Sequence, residues 1–101
     1  MNKYRRGRRG EYKAKRILEE NGWRVSRAAG SKGIWDLIAF RTPGWILVEG
    51  EAVLRFIQVK VGSPISKAER EEIEAAIVPP LTSKEVWRFI DRVKEPEITY
   101  L

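Results

Sequence analysis

The sequence predicts a small α/β domain, and three patterns in its 101 residues carry that expectation. An amphipathic helical stretch closes sharply at Asn21-Gly22. Two apolar strand-like runs, Ile34 to Phe40 and Ala52 to Val61, fill the middle of the chain. A second helix opens at the Ser66-x-x-Glu69 box and stops at Pro79-Pro80. Helical and strand periods alternating along one short chain are what helices packed on a sheet require. The length suits one domain, 1–101, and a 43% apolar content supports a modest core.

The first helix is expected from about Arg8 to Asn21, after a basic arm over residues 1–7 that the Gly7 and Gly10 interruptions make flexible. Ala14, Ile17 and Leu18 form its apolar stripe, while Lys13, Arg16 and Glu20 point away. Asn21-Gly22 ends it, because both residues tolerate the left-handed conformation. Glu11 lies one turn from Ala14 and two from Leu18, on the edge of the buried face. It can look inward, or serve as a first-turn carboxylate that meets the helix dipole or Lys15 at i+4.

Trp23 to Arg27 follows as a strand, with Trp23 and Val25 on one face and Arg24 and Ser26 on the other. Ala28-Ala29-Gly30-Ser31-Lys32-Gly33 is a loop of small residues, either an ordinary turn or a place where another backbone or a phosphate approaches. Ile34 to Phe40 is apolar on both faces apart from Asp36, the pattern of a central strand covered on two sides. Thr42-Pro43-Gly44 ends it, Trp45 to Val48 continues a hairpin, and Ala52 to Val61 is the next strand. The helix over about 67–78 turns Ile73 and Ile77 inward. Val86, Phe89, Ile90 and Val93 also match a helical period, but their aromatic and β-branched character after two prolines favours a strand over 86–90. A last strand is expected at Glu97 to Tyr100.

Composition narrows the chemistry. With no cysteine and no histidine, disulfides, thiolate zinc sites, thiol nucleophiles and Ser-His-Asp triads are excluded, which leaves carboxylates, amides, lysine, hydroxyls or an oxygen-bound metal. No apolar run approaches the roughly 20 residues of a membrane span. The basic first residues lead into no apolar stretch of signal-peptide type. The expected setting is therefore cytoplasmic (intracellular), with no membrane partner. Of the net charge of +6, the first sixteen residues carry eight cations against the single acid Glu11, while the remainder is nearly balanced. A basic terminus can be a solvated tail or a contact for acidic lipids. Such concentration at one end favours DNA or another polyanion, with Arg5, Arg6, Arg8, Arg9 and Lys13, and Lys32 in the loop, as the candidate DNA-binding residues.

Two short stretches put polar groups into apolar strands. Asp36 in Ile34-Trp35-Asp36-Leu37-Ile38-Ala39 is costly to bury unless a partner or a cation holds its charge. In Ile57-Gln58-Val59-Lys60-Val61, alternation brings Gln58 and Lys60 out on one face. An amide paired with a lysine could simply satisfy Asp36, or the Asp36 carboxylate and the Gln58 amide oxygen could hold a hard cation.

In order, the helix with Glu11, the Gly30-Ser31 loop, the strand with Asp36 and the Gln58-Val59-Lys60 strand resemble the PD-(D/E)xK nuclease superfamily. The likeness is greatest to the compact archaeal Holliday junction resolvases and their viral relatives, and it spans residues 5–78. Trp35 stands where that name has proline and Gln58 where it has an acid, and Gln-x-Lys is similar to the element of Mrr-like restriction nucleases. The resemblance implies a small restriction-endonuclease-like fold, a mixed central sheet flanked by helices. It implies a Mg²⁺-dependent endonuclease, with Mn²⁺ as a substitute. Asp36, Gln58, the Val59 carbonyl and Glu11 would hold the metal, Lys60 would position water, and Ser31 would meet the phosphate or the metal-bound water. The expected partners are DNA, four-way junctions among its forms, and a second copy in a homodimer. A restriction-like or nicking nuclease on duplex DNA and a non-catalytic DNA-binding module are the alternatives.

Overall fold

The computed structural model describes residues 3–28, 33–41 and 52–101, and of residues 3–7 the backbone alone. Its elements are α1 (Lys3–Glu20), β1 (Arg24–Arg27), β2 (Leu37–Phe40), β3 (Leu54–Val61), α2 (Lys67–Ala75), β4 (Thr82–Phe89) and β5 (Glu97–Tyr100). The strands lie in sequence order in one five-stranded sheet. β1, β2 and β3 pair antiparallel, β3 and β4 parallel, and β4 and β5 antiparallel. Parallel neighbours need a crossover, and α2 supplies it. This mixed sheet with two helices is compatible with the restriction-endonuclease-like fold that the sequence implies.

α1 lies on one face of the sheet. Ala14 and Leu18 close over Leu37, Ala39, Ile57, Trp87 and Phe89, with Ile17, Trp23, Val25 and Val59 packed at the margin. The helix begins at Lys3 rather than near Arg8, so the basic segment is helical and runs through Gly7 and Gly10. Gly10 is needed for packing rather than for flexibility: a Cβ there would sit 2.6 Å from Val61 Cγ2 and 2.9 Å from Val59 Cγ1. The helix ends as expected. Gly22 takes φ +88°, and the Trp23 and Gly22 amides donate to the Leu18 and Glu19 carbonyls in a Schellman arrangement.

α2 uses the opposite face, since Gln58, Lys60 and Lys84, which it touches, alternate with the residues under α1. Its capping box is formed as the sequence predicts, by Ser66 and Glu69. The helix closes at Ala75, short of 78. Ile73 is buried, but Ile77, expected inward, is fully exposed. Ala76 is extended, and Lys84 Nζ closes the helix end by donating to the Ile73, Glu74 and Ala76 carbonyls.

Regular β2 is shorter than the strand expected over Ile34 to Phe40. It is second from the sheet edge, and Phe40 is exposed rather than covered. The hairpin expected at Trp45 to Val48 lies outside the described residues. Residues 86–89 form strand, not helix, at the end of β4, and Ile90 lies just beyond it. No helix is long and apolar enough to cross a membrane among the described residues.

Among the described residues one charge lies inside the core. Glu85 is wholly buried and accepts hydrogen bonds from Arg55 Nε and Nη2 (both 2.7 Å), Ser83 Oγ and Trp87 Nε1 (2.9 Å). Burial pushes its carboxyl up, but the bonds from Arg55, Ser83 and Trp87 outweigh it and hold the group below the ordinary 4.5. Below 4.5 the unfolded chain binds more protons at this position than the folded one. The Glu85 contribution is therefore full above that pH and is lost as pH falls through the folded value. Urea unfolding at neutral pH should show Glu85→Ala destabilised by about 3–5 kcal/mol, since it strands Arg55, and Glu85→Gln should have a flatter acid limb than wild type. For Gly10→Ala the same measurement should give a loss of about 1–3 kcal/mol, because Val59 and Val61 cannot clear the added methyl without strain.

Candidate active site

Asp36 precedes β2 and is fixed by its backbone on both sides. Its amide donates to the Ile57 carbonyl at 2.9 Å, and its carbonyl accepts from the Ala28 amide at 2.9 Å. Its side chain turns to β3, where Oδ2 accepts the Val59 amide at 2.8 Å. Burial pushes the carboxyl above its ordinary value. The Val59 amide opposes that shift, the Glu11 charge adds to it, and Lys60 and Arg27 pull it back. Asp36 is thus a poorly compensated acid within reach of the charges of one other acid and two cations.

The pairing of Leu37 with Ile57 sets Gln58 opposite Asp36. Gln58 Nε2 donates to Glu69 Oε2 at 3.3 Å, while Gln58 Oε1 is buried with no hydrogen-bond partner among the described residues. The amide orientation has a chemical basis: an ionised carboxylate only accepts, so the NH₂ group must face Glu69. Lys60 Nζ meets the same oxygen, Glu69 Oε2, at 2.5 Å. The other oxygen, Oε1, accepts the Ser66 amide at 3.0 Å. The Lys60 ammonium first, and the Ser66 amide next, hold the Glu69 carboxyl below its ordinary value.

Glu11 comes from α1, one residue past the close approach at Gly10, and its Oε2 accepts from Arg27 Nη2 at 2.8 Å. The Arg27 guanidinium also lies over the Tyr12 ring, 5.6 Å from its centroid. Among the described residues no three acidic side chains group as a metal site, since Glu69 faces Lys60 and Glu11 faces Arg27. The donor set nevertheless fits a hard cation. An open, buried amide oxygen is an accepted ligand for such ions, and a cation would relieve the burial and the Glu11 repulsion at Asp36.

The structure therefore gathers Asp36, Gln58, Lys60 and Glu11 at one end of β3, with the Val59 amide engaged by Asp36. Ser31 and Lys32 lie outside the described residues, and Arg5 and Arg6 are described only as backbone of α1. Arg8, Arg9, Lys13 and Arg16 are exposed along α1. Lys13 Nζ reaches over the Phe89 ring at 5.9 Å.

The chain matches the family model described as archaeal Holliday junction resolvase (Hjc) over residues 2–77. The chain belongs to this family. No curated protein and no solved structure matches it. Membership in the resolvase family supports a nuclease function, and the match takes in α1 through α2, with every candidate residue.

Two neighbours of these candidate residues are not evident from sequence alone. Arg27 reads as a generic basic residue, and Glu69 as a capping residue and nothing more. The available signal for Glu69 was the missing acid at position 58 together with an acid on the first turn of the next helix.

Asp36→Asn keeps an acceptor for the Val59 amide and removes a half-buried charge beside Glu11. In the metal-free protein at neutral pH, its stability by thermal unfolding should lie within about 0.5 kcal/mol of wild type or above it. A marked loss would identify Asp36 as a folding residue.

Proposed function

We propose that this chain is an endonuclease that hydrolyses DNA phosphodiesters with Mg²⁺, or Mn²⁺ in its place, and that it selects four-way junctions. The observation that carries this reading is the pairing of a half-buried, poorly compensated Asp36 carboxyl with the open Gln58 Oε1 at the same strand end, in a chain of the resolvase family. Asp36 and Gln58 Oε1 would hold the cation, with the Val59 carbonyl and Glu11 completing its shell. A bound divalent cation supplies Lewis-acid polarisation of the phosphate and a more acidic water.

The remaining work belongs to side chains of this protein. Lys60 Nζ donates to the attacking water and places positive charge beside the developing phosphorane oxygens. By the family resemblance, Ser31 would meet the scissile phosphate or the metal-bound water. The exposed cations of α1 grip the DNA backbone without reading sequence. By the family resemblance, products carry a 5′-phosphate and a 3′-hydroxyl. Symmetric incision of two strands calls for a two-fold dimer, for which the exposed Ile98 and Tyr100 of the edge strand β5 are the candidate contact.

The test is a cleavage panel of four-way junction, flap, duplex and single strand with Mg²⁺ or Mn²⁺. Junction cleavage should dominate, and Asp36→Asn or Lys60→Ala should lower its rate by about 10²–10³-fold with DNA affinity retained. Equal cutting of duplex would make it a duplex nuclease, and no cutting of any substrate would make it a binding module. Replacing Arg9, Lys13 and Arg16 together should weaken binding to all DNA forms alike. It should also flatten the log-log salt dependence by about 0.9 for each phosphate that is no longer neutralised, as read by a salt titration of affinity.

A further inference from the structure

The capping box of α2 needs only part of Glu69. Its Oε1 accepts the Ser66 amide, its own amide donates to Ser66 Oγ at 3.1 Å, and that closes the box. The other oxygen, Oε2, is committed entirely to β3, where it accepts from Gln58 Nε2 and pairs with Lys60 Nζ. Both residues emerge at the strand end that carries Asp36. The placement is enforced, because Lys84 binds three carbonyls at the far end of the nine-residue helix and so anchors α2 to β4. The charges at this strand end also require such a group. Glu11 is paired with Arg27 and Gln58 is neutral, Asp36 meets the Lys60 charge without a direct ion pair between them, and Glu69 is the carboxylate in contact with Lys60 Nζ.

We propose that Glu69 is a positioning residue of this site: its Oε2 holds the Gln58 amide nitrogen, so that Oε1 alone is presented to the cation, and it anchors Lys60 beside it. The inference rests on the metal-dependent reading of the site. It explains why an amide occupies position 58, since a glutamate there would bring a second carboxylate to within about the 3.3 Å that now separates Nε2 from Oε2. Two carboxylates at that distance disfavour each other's charge unless one takes a proton.

The test uses Mn²⁺ alone as the probe, with the full chain, its affinity read by paramagnetic resonance of the free ion and its fold by thermal unfolding. Glu69→Gln keeps a capping-box acceptor, so it should unfold near the wild-type temperature yet bind Mn²⁺ about tenfold more weakly, the usual scale for losing a group that orients a ligand. Ser66→Ala, which removes the cap but leaves Oε2 in place, should lower the unfolding temperature and leave Mn²⁺ affinity unchanged. The double variant Gln58→Glu with Glu69→Gln exchanges acid and amide and should recover most of the affinity that Glu69→Gln forfeits. Wild-type Mn²⁺ affinity in Glu69→Gln, an equal weakening in Ser66→Ala, or no recovery in the double variant would each overturn the proposal and reduce Glu69 to a helix cap. Failure of the wild-type chain itself to bind Mn²⁺ would overturn the metal-dependent reading, and this inference with it.

Discussion

The hydrogen bond from the Val59 amide to Asp36 is the contact on which the rest of the molecule's chemistry depends. It turns a carboxylate out of an apolar stretch and against the neighbouring strand, at the place where β2 begins. Because side chains alternate along β3, fixing Asp36 beside Val59 also fixes it beside Gln58 and Lys60, whatever the details of α2. The arrangement is costly. One amide bond does not offset burial and the repulsion of Glu11, and the carboxyl is left raised.

A second buried acid shows what a purely structural solution looks like in the same sheet. Glu85 is more deeply buried than Asp36, yet four donors from Arg55, Ser83 and Trp87 surround it and its carboxyl is held low. The fold can therefore satisfy a carboxylate completely when nothing else is asked of it. Among the described residues Asp36 has one donor to its carboxylate, with its charge left over, and Gln58 has an oxygen with nothing to accept. Unmet polar demand at two facing positions is what a ligand can satisfy. On the other side, Gly10 lets α1 settle onto Val59 and Val61, and this close approach sets the next residue, Glu11, against Arg27 and within electrostatic reach of Asp36.

Most of the fold was legible because its signals are local. Asn21-Gly22 and the Ser66-x-x-Glu69 box mark helix ends through their own backbone bonds, and strand alternation separates Ile57 and Val59 from Gln58 and Lys60 without knowledge of any neighbour. What was not legible depends on residues distant in sequence. Gly7 and Gly10 read as interruptions of a helix, since only the side chains of Val59 and Val61 show why Gly10 must lack a Cβ. The exposure of Ile77 follows from Lys84 closing α2 early. Glu85 looks like a surface acid until Arg55 is seen thirty residues away. In the candidate site the strand residues announced themselves by being polar in apolar surroundings. Glu69 did not, because an acid on the first turn of a helix already has a sufficient local reason to be there.

The proposed oxygen site of Asp36 and Gln58 for a divalent cation can be seen by anomalous diffraction from crystals of the protein soaked in Mn²⁺. One strong peak is expected in contact with an Asp36 carboxylate oxygen and with Gln58 Oε1. Peaks confined to surface acids, with the Asp36 and Gln58 oxygens empty at saturating Mn²⁺, would contradict that site.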